Sequence, residues 1–148
     1  PVGAATIFGS VALHGVGVGS GIEFLPAEAI GFKSCSGERA EVGKATERLK
    51  LTCPNNDNQL LLSCCAASST VQEAVTRRER FPDAVAEDME GFGVALACQL
   101  FDVPLTIVRG ASNVTGDRDS HAWRITDAMN ACWQLAQQIL ERREPEEN

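Results

Sequence analysis

The densest concentration of reactive side chains in the sequence is the run Ala86, Glu87, Asp88, Met89, Glu90, Gly91, Phe92, Gly93, with three carboxylates and two glycines in eight residues. A carboxylate fixed beside a sugar can stabilise positive charge that develops only as a bond to it breaks, which is chemistry such a cluster can supply. The same acids also suit the first turn of a helix, where they complement the positive end of its dipole. Both readings are open from spacing alone. Gly91 and Gly93 cost about 1 kcal/mol each against alanine inside a helix, so they point to close approach of another backbone or of a ligand.

The second unusual stretch is the polar loop Arg109, Gly110, Ala111, Ser112, Asn113, Val114, Thr115, Gly116, Asp117, Arg118, Asp119, with Trp123 four residues beyond it. It reads either as a solvated turn with a surface Arg118 and Asp119 pair, or as the wall of a binding site. Six cysteines are scattered as Cys35, Cys53, Cys64, Cys65, Cys98 and Cys132; no CxxC pair accompanies His14 and His121, so reduced thiols and no metal site are expected. Cys64 and Cys65 are neighbours, and on a strand they would face opposite sides.

These groups must be held by the elements around them. Thr6 to His14 is β-branched and apolar with a break at Gly9 and Ser10, and is expected to be strand material with a bend. Gly15 to Gly21 alternates four glycines with other residues and is expected to be a loop, with a short helix after Pro26 stopped by Gly31. Glu41 to Leu51 reads as a helix, followed by a turn at Pro54, Asn55, Asn56 and Asp57. Gln59 to Ala66 is an apolar run without alternation, as in a strand covered on both faces. Ser68, Ser69 and Thr70 then cap a helix with Val71, Ala74 and Val75 on one side and Arg77, Arg78 and Arg80 at its end. The unit repeats as a short strand at Ala84 to Ala86, a helix from Met89 to Phe101 and a strand from Leu105 to Arg109. A last helix carries Ile125, Met129, Cys132, Ala136, Ile139 and Leu140 as an apolar stripe. Alternating strands and helices predict one α/β domain over residues 1–148, a three-layer α/β/α sandwich with a mostly parallel central sheet. Ligands in such sheets collect at the carboxyl ends of the strands, here after Cys65, between Ala86 and Gly91, and after Arg109.

Composition removes other classes. A formal net charge of -7 disfavours nucleic acid as a partner. No apolar run reaches the roughly 20 residues needed to cross a bilayer, so no membrane partner and a cytoplasmic location are expected. The sequence begins at Pro1 and runs at once into apolar residues, which reads as a cut end.

The string "EDMEGFGVALACQLFDVPLTIV" from Glu87 to Val108, followed by "RGASN", resembles the nucleoside phosphorylase and nucleosidase superfamily. The continuation "SNVTGDRDSHAW" is most similar to futalosine hydrolases, and weaker agreement reaches back through "FPDAVAEDME" to "EFLPAEAIGF". The resemblance implies the C-terminal two-thirds of that fold, its N-terminal part missing, since no counterpart of the family's opening strand and water-activating acid precedes Ile7. It implies hydrolysis of the N-glycosidic bond of futalosine, a purine nucleoside, releasing hypoxanthine in menaquinone biosynthesis. No cofactor is implied, and the family's habit of assembly implies a homo-oligomer. Glu90 and Asn113 would be the catalytic residues, Glu90 accepting from the ribose 2′-hydroxyl and Asn113 facing the base. Met89, Asp88, Ala67, Ser68 and Arg118 would contact substrate. An amide at position 113 both donates and accepts, which matches the O6 and N7 side of a 6-oxopurine. Two alternatives stand beside this reading: a phosphorolytic purine nucleoside phosphorylase, and a non-catalytic truncated family member.

Overall fold

A computed structural model describes residues 1–20, 23–32, 48–52 and 59–142. The first apolar stretch forms two strands, β1 (Ala5–Phe8) and β2 (Ser10–His14), broken at Gly9 as expected. The break moves the chain from one sheet to another. β1 pairs antiparallel with β8 (Ile107–Gly110), Ala5 opposite Gly110 and Phe8 opposite Ile107. β2 lies inside a four-stranded sheet of order β5-β2-β6-β7, where β5 is Arg48–Lys50, β6 is Leu60–Cys64 and β7 is Ala84–Asp88. The β2–β6 and β6–β7 ladders are parallel and the β5 edge is antiparallel, so the sheet is mixed.

β6 is buried along its whole length, as an apolar strand without polar alternation must be. Its alternate side chains feed two cores. Leu61 joins Phe8, Val11, Leu49, Phe92, Ala95 and Ile107 on one face, while Leu60, Leu62 and Cys64 meet Ala12 and Phe81 on the other. Burial fixes strand register, because a slip of one residue would exchange these two sets.

α1 (Val71–Arg80) starts at Thr70, whose hydroxyl accepts from Glu73 N at 3.2 Å, while Glu73 accepts from Ser69 N at 2.6 Å. This reciprocal capping is what the serine and threonine types predicted. α2 (Gly91–Leu100) packs on β2 and β6, and α3 (Ile125–Glu141) lies across β1 and β8.

Some expectations are corrected. Arg48–Lys50 is strand where a helix over Glu41 to Leu51 was expected; residues 41–47 lie outside the described ones. Leu49 is 1% exposed opposite Val11, and burying it on the edge of β2 outweighs local helix propensity. The glycine-rich loop contributes a two-residue strand, β3 (Gly17–Val18), paired with β4 (Leu25–Pro26), and the short helix after Pro26 is a 3-10 turn ending at a left-handed Gly31. The turn predicted at Pro54 to Asp57 falls outside the described residues. The strand at Ala84 runs on to Asp88 and α2 begins only at Gly91, so Met89 and Glu90 form the turn between them. β8 begins two residues later than predicted. In α3, Ala128, Cys132, Ala136 and Ile139 face inward as a helical stripe, but Ile125, Met129 and Leu140 are exposed, as are Val71 and Val75 of α1.

Candidate active site

Neighbouring residues on a strand face opposite sides, and β7 uses this to divide its acids. Asp88 turns toward α2. Its Oδ1 accepts from Ser63 Oγ at 2.5 Å, and its Oδ2 accepts from Gly91 N at 3.0 Å and from Arg109 Nε and Nη2 at 3.0 and 2.7 Å. Ser63 Oγ in turn accepts from Phe92 N at 2.7 Å, which satisfies a second amide at the start of α2. Asp88 and Ser63 thus perform the capping that a helix beginning at Gly91 requires.

Glu90 is left free of that duty. Its side chain is 70% exposed and makes no cap bond to α2. Its contacts are Met89 N at 3.4 Å and Arg109 Nη2 at 3.7 Å. The two readings of the acidic run therefore divide by residue: Asp88 serves the helix, and Glu90 is an available carboxylate with a guanidinium beside it.

Glu87 turns toward α1, where it accepts from Ser68 and Arg77. Asn113 stands in the loop after β8. Its Oδ1 accepts from Ser112 Oγ at 2.8 Å, and its Nδ2 donates to the carbonyls of Val114 and Asp117 at 3.0 and 3.3 Å. Asp117 and Asp119 shape the same loop, accepting from Asp119 N at 2.9 Å and His121 N at 3.1 Å. The Arg118 guanidinium lies 5.8 Å from the centre of the Trp123 ring, a cation-π distance.

Ala67, Ser68, Asp88, Glu90, Asn113 and Arg118 all border one cleft of about 530 Å³ at the carboxyl ends of the strands. Met89 is exposed and is not among its walls. Glu87 and Asn113 also border an adjoining cavity of about 560 Å³ walled by Val71, Ala74 and Val75. The first volume fits a small organic ligand of nucleoside size. Sequence reasoning named Glu87 and Arg109 within its two polar stretches without giving either a role, and did not reach Ser63. For Glu87 the signal was present in strand alternation, which separates it from Asp88; for Ser63 and Arg109 only the pairing of β6, β7 and α2 reveals the partnership.

Among the described residues no three His, Cys, Asp or Glu side chains gather as a metal-holding group. Cys64 is buried, and that burial pushes its thiol up to about 12, which disfavours the reactive thiolate. Cys65 is exposed and unbridged.

Residues 44–142 match the family model described as the phosphorylase superfamily. Over 132 residues the chain is 33% identical to a futalosine hydrolase from Streptomyces coelicolor, covering 88% of this chain and 54% of that protein. A futalosine hydrolase from Acidothermus cellulolyticus is 41% identical over 69 residues, covering 47% of this chain and 28% of that protein. The chain thus spans about half the length of the Streptomyces relative. A solved structure of 5′-methylthioadenosine/S-adenosylhomocysteine nucleosidase from Neisseria meningitidis, in complex with methylthio-immucillin-A, superposes with a TM-score of 0.66 at 18% identity, covering 94% of this chain and 62% of that one.

Proposed function

The chain belongs to the phosphorylase superfamily, and from that premise we propose that the protein is a nucleosidase that hydrolyses the N-glycosidic bond of futalosine, releasing hypoxanthine for menaquinone biosynthesis. The similarity to futalosine hydrolases over 88% of the chain supports the substrate. The observation that carries the chemistry is Glu90: a carboxylate free of capping, at the rim of the cleft that Asn113 also borders.

In this reading Glu90 accepts a hydrogen bond from the ribose 2′-hydroxyl. As the bond from C1′ to the base breaks, the ribose gains oxocarbenium character, and the fixed carboxylate stabilises charge absent from the ground state. Arg109, anchored on buried Asp88, holds Glu90 at 3.7 Å and limits its wandering. Asn113 exchanges its loop bonds for the departing base: Nδ2 donates to O6, and Oδ1 accepts from N7–H as N7 takes up its proton. The C1′–N9 bond breaks as water forms a bond to C1′; the water gives up one proton and the base takes one up, so that hypoxanthine leaves neutral. Ala67 and Arg118 form walls against the substrate, and Met89, exposed outside those walls, meets the ribose by turning inward; Asp88 and Ser68, their oxygens already engaged, support the site from behind.

We assign the protein to the cytoplasm and to a homo-oligomer. No helix among the described residues is long and apolar enough to cross a membrane. Ile125, Met129, Trp133 and Leu140 leave α3 with exposed apolar side chains that a second copy would cover.

The test is chromatographic detection of free hypoxanthine after incubating the full-length protein with futalosine and, separately, inosine, with and without phosphate. Release from futalosine without phosphate is the expected result. Dependence on phosphate would replace hydrolysis by phosphorolysis, and no release from either nucleoside would overturn the proposal.

A further inference from the structure

A polar network to which the proposed chemistry gives no catalytic part surrounds Glu87. Its side chain is 13% exposed, yet it is an ion, and such a group requires partners. It has them on two elements. Oε2 accepts from Arg77 Nη1 of α1 at 2.9 Å, and both carboxylate oxygens accept from Ser68 Oγ, at 2.9 and 3.0 Å. Ser68 N adds a longer bond at 3.3 Å. Ser68 is 1% exposed and stands two residues before Thr70, the cap of α1.

The Thr70 end of the link continues to the loop after β8. Gly116, at φ 85°, lies so flat against the start of α1 that a Cβ there would come within 2.5 Å of the Thr70 carbonyl oxygen and 2.8 Å of Val71 N. One residue further on, the Asp117 carbonyl accepts from Asn113 Nδ2. Hydrogen bonds, backbone packing and chain neighbours therefore link Glu87 through Ser68 and Thr70 to Gly116 and, through Asp117, to Asn113.

We propose that Glu87 is a positioning residue for the proposed nucleosidase reaction: it borders the cleft, but with both carboxylate oxygens engaged by Ser68 and Arg77 it acts by fixing the start of α1, against which the loop that presents Asn113 is seated. The inference rests on the assignment of Asn113 to the departing base. Removing the carboxylate leaves the Asn113 loop intact in composition but free to shift, and displacements of about 1 Å cost roughly 100-fold where a group must meet a transition state.

The test uses Glu87→Ala, Glu87→Gln and Ser68→Ala in the full-length protein, with two readouts. In hydrogen exchange without ligand, Glu87→Ala and Ser68→Ala are expected to raise exchange about tenfold or more at amides of residues 66–73 and 111–119, leaving β6, β8 and α3 unchanged. An even rise across the molecule, or no rise in residues 111–119, overturns the proposal. In kinetics, Glu87→Ala is expected to lower kcat by about 10- to 100-fold with KM changed by less than about threefold, and Glu87→Gln, which still accepts from Ser68, to recover most of the loss. In an Asn113→Ala background the same Glu87→Ala change should cost less than about threefold, because its effect passes through that residue. An equal loss in both backgrounds means that Glu87 acts independently of Asn113, and overturns the proposal. Should Glu87→Ala fail to fold, Ser68→Ala carries both readouts alone. If the wild-type protein releases no base, the nucleosidase assignment falls, and the exchange readout still decides whether Glu87 seats the Asn113 loop.

Discussion

The Arg109 guanidinium grips the buried carboxylate of Asp88 through two nitrogens, at 3.0 and 2.7 Å, and the second of these nitrogens also stands 3.7 Å from Glu90. Two acids two residues apart thus share one cation while differing in exposure, 8% for Asp88 and 70% for Glu90. Their substitutions should separate stability from catalysis. Asp88→Asn weakens the bonds to Ser63, Gly91 and Arg109 together and is expected to cost about 1–3 kcal/mol, read as a lower urea midpoint, with the Arg109 share reduced because that side chain is partly solvated. Glu90→Gln should leave the midpoint within about 0.5 kcal/mol, as surface changes do. It should still lower kcat for base release by about 100-fold or more. Equal midpoint losses for the two variants would contradict this division.

Asn113 bears on which base leaves. An amide satisfies a 6-oxopurine, whereas an acid can protonate N7 of a 6-aminopurine. Asn113→Asp places a carboxyl oxygen against the Val114 and Asp117 carbonyls that now accept from Nδ2, an arrangement that favours the protonated form. The variant should shift the ratio of kcat/KM for the 6-amino nucleoside over its 6-oxo counterpart upward by about tenfold or more. Competition of the two nucleosides in one reaction, with both free bases quantified, measures the ratio directly. An unchanged ratio would remove Asn113 from base selection.

What could be read from the residues, and what could not, follows from how far each signal reaches. The apolar run of β6, the Thr70 cap and the Gly31 stop are local and were legible. The strand at Arg48–Lys50 was not, because Leu49 becomes a strand residue only through its place against Val11. The α3 stripe was half legible: its period shows an apolar face, but Met129 and Ile125 are as apolar as Cys132 and only packing decides which side faces β1 and β8. In the site, the residue types of Glu90 and Asn113 pointed to chemistry through resemblance, and both border the cleft. The partners that restrain Asp88 come from positions 63, 91 and 109, and no spacing rule joins these.

The ring of His14 packs edge-on to Phe24 at 5.5 Å and to Phe81 at 5.7 Å. Burial, and after it the positive charges of Arg77 and Arg80, hold its pKa below the ordinary 6.5, against a smaller opposing pull from Glu87. The unfolded chain therefore binds the proton first as pH falls. Stability attached to this group is complete above pH 6.5 and is lost as pH drops from there through the folded-state value. Urea midpoints between pH 7.5 and 5.5 should fall in the wild-type protein and fall less in His14→Phe, which keeps an aromatic ring between Phe24 and Phe81. Parallel slopes in the two proteins would mean that other groups govern this range.

Two glycines at the start of α2 look alike in the sequence and should respond oppositely to the same change. At Gly91 an added Cβ would lie 2.7 Å from Asp88 Oδ2 and 2.8 Å from Leu61 Cδ2. Neither can yield cheaply, since Asp88 is held by Ser63 and Arg109 and Leu61 is fully buried. At Gly93 nothing lies within 4 Å of the same atom. Gly91→Ala is therefore expected to destabilise by about 1–3 kcal/mol through overpacking. It should also depress kcat, since it displaces the carboxylate on which Arg109 rests. Gly93→Ala relieves a helix of its glycine at no steric cost and should stabilise by about 0.5–1 kcal/mol with kcat unchanged. Urea midpoints and base-release rates for the pair decide the matter. If both variants were stabilised, the contact between position 91 and Asp88 would not be the constraint that keeps a glycine there.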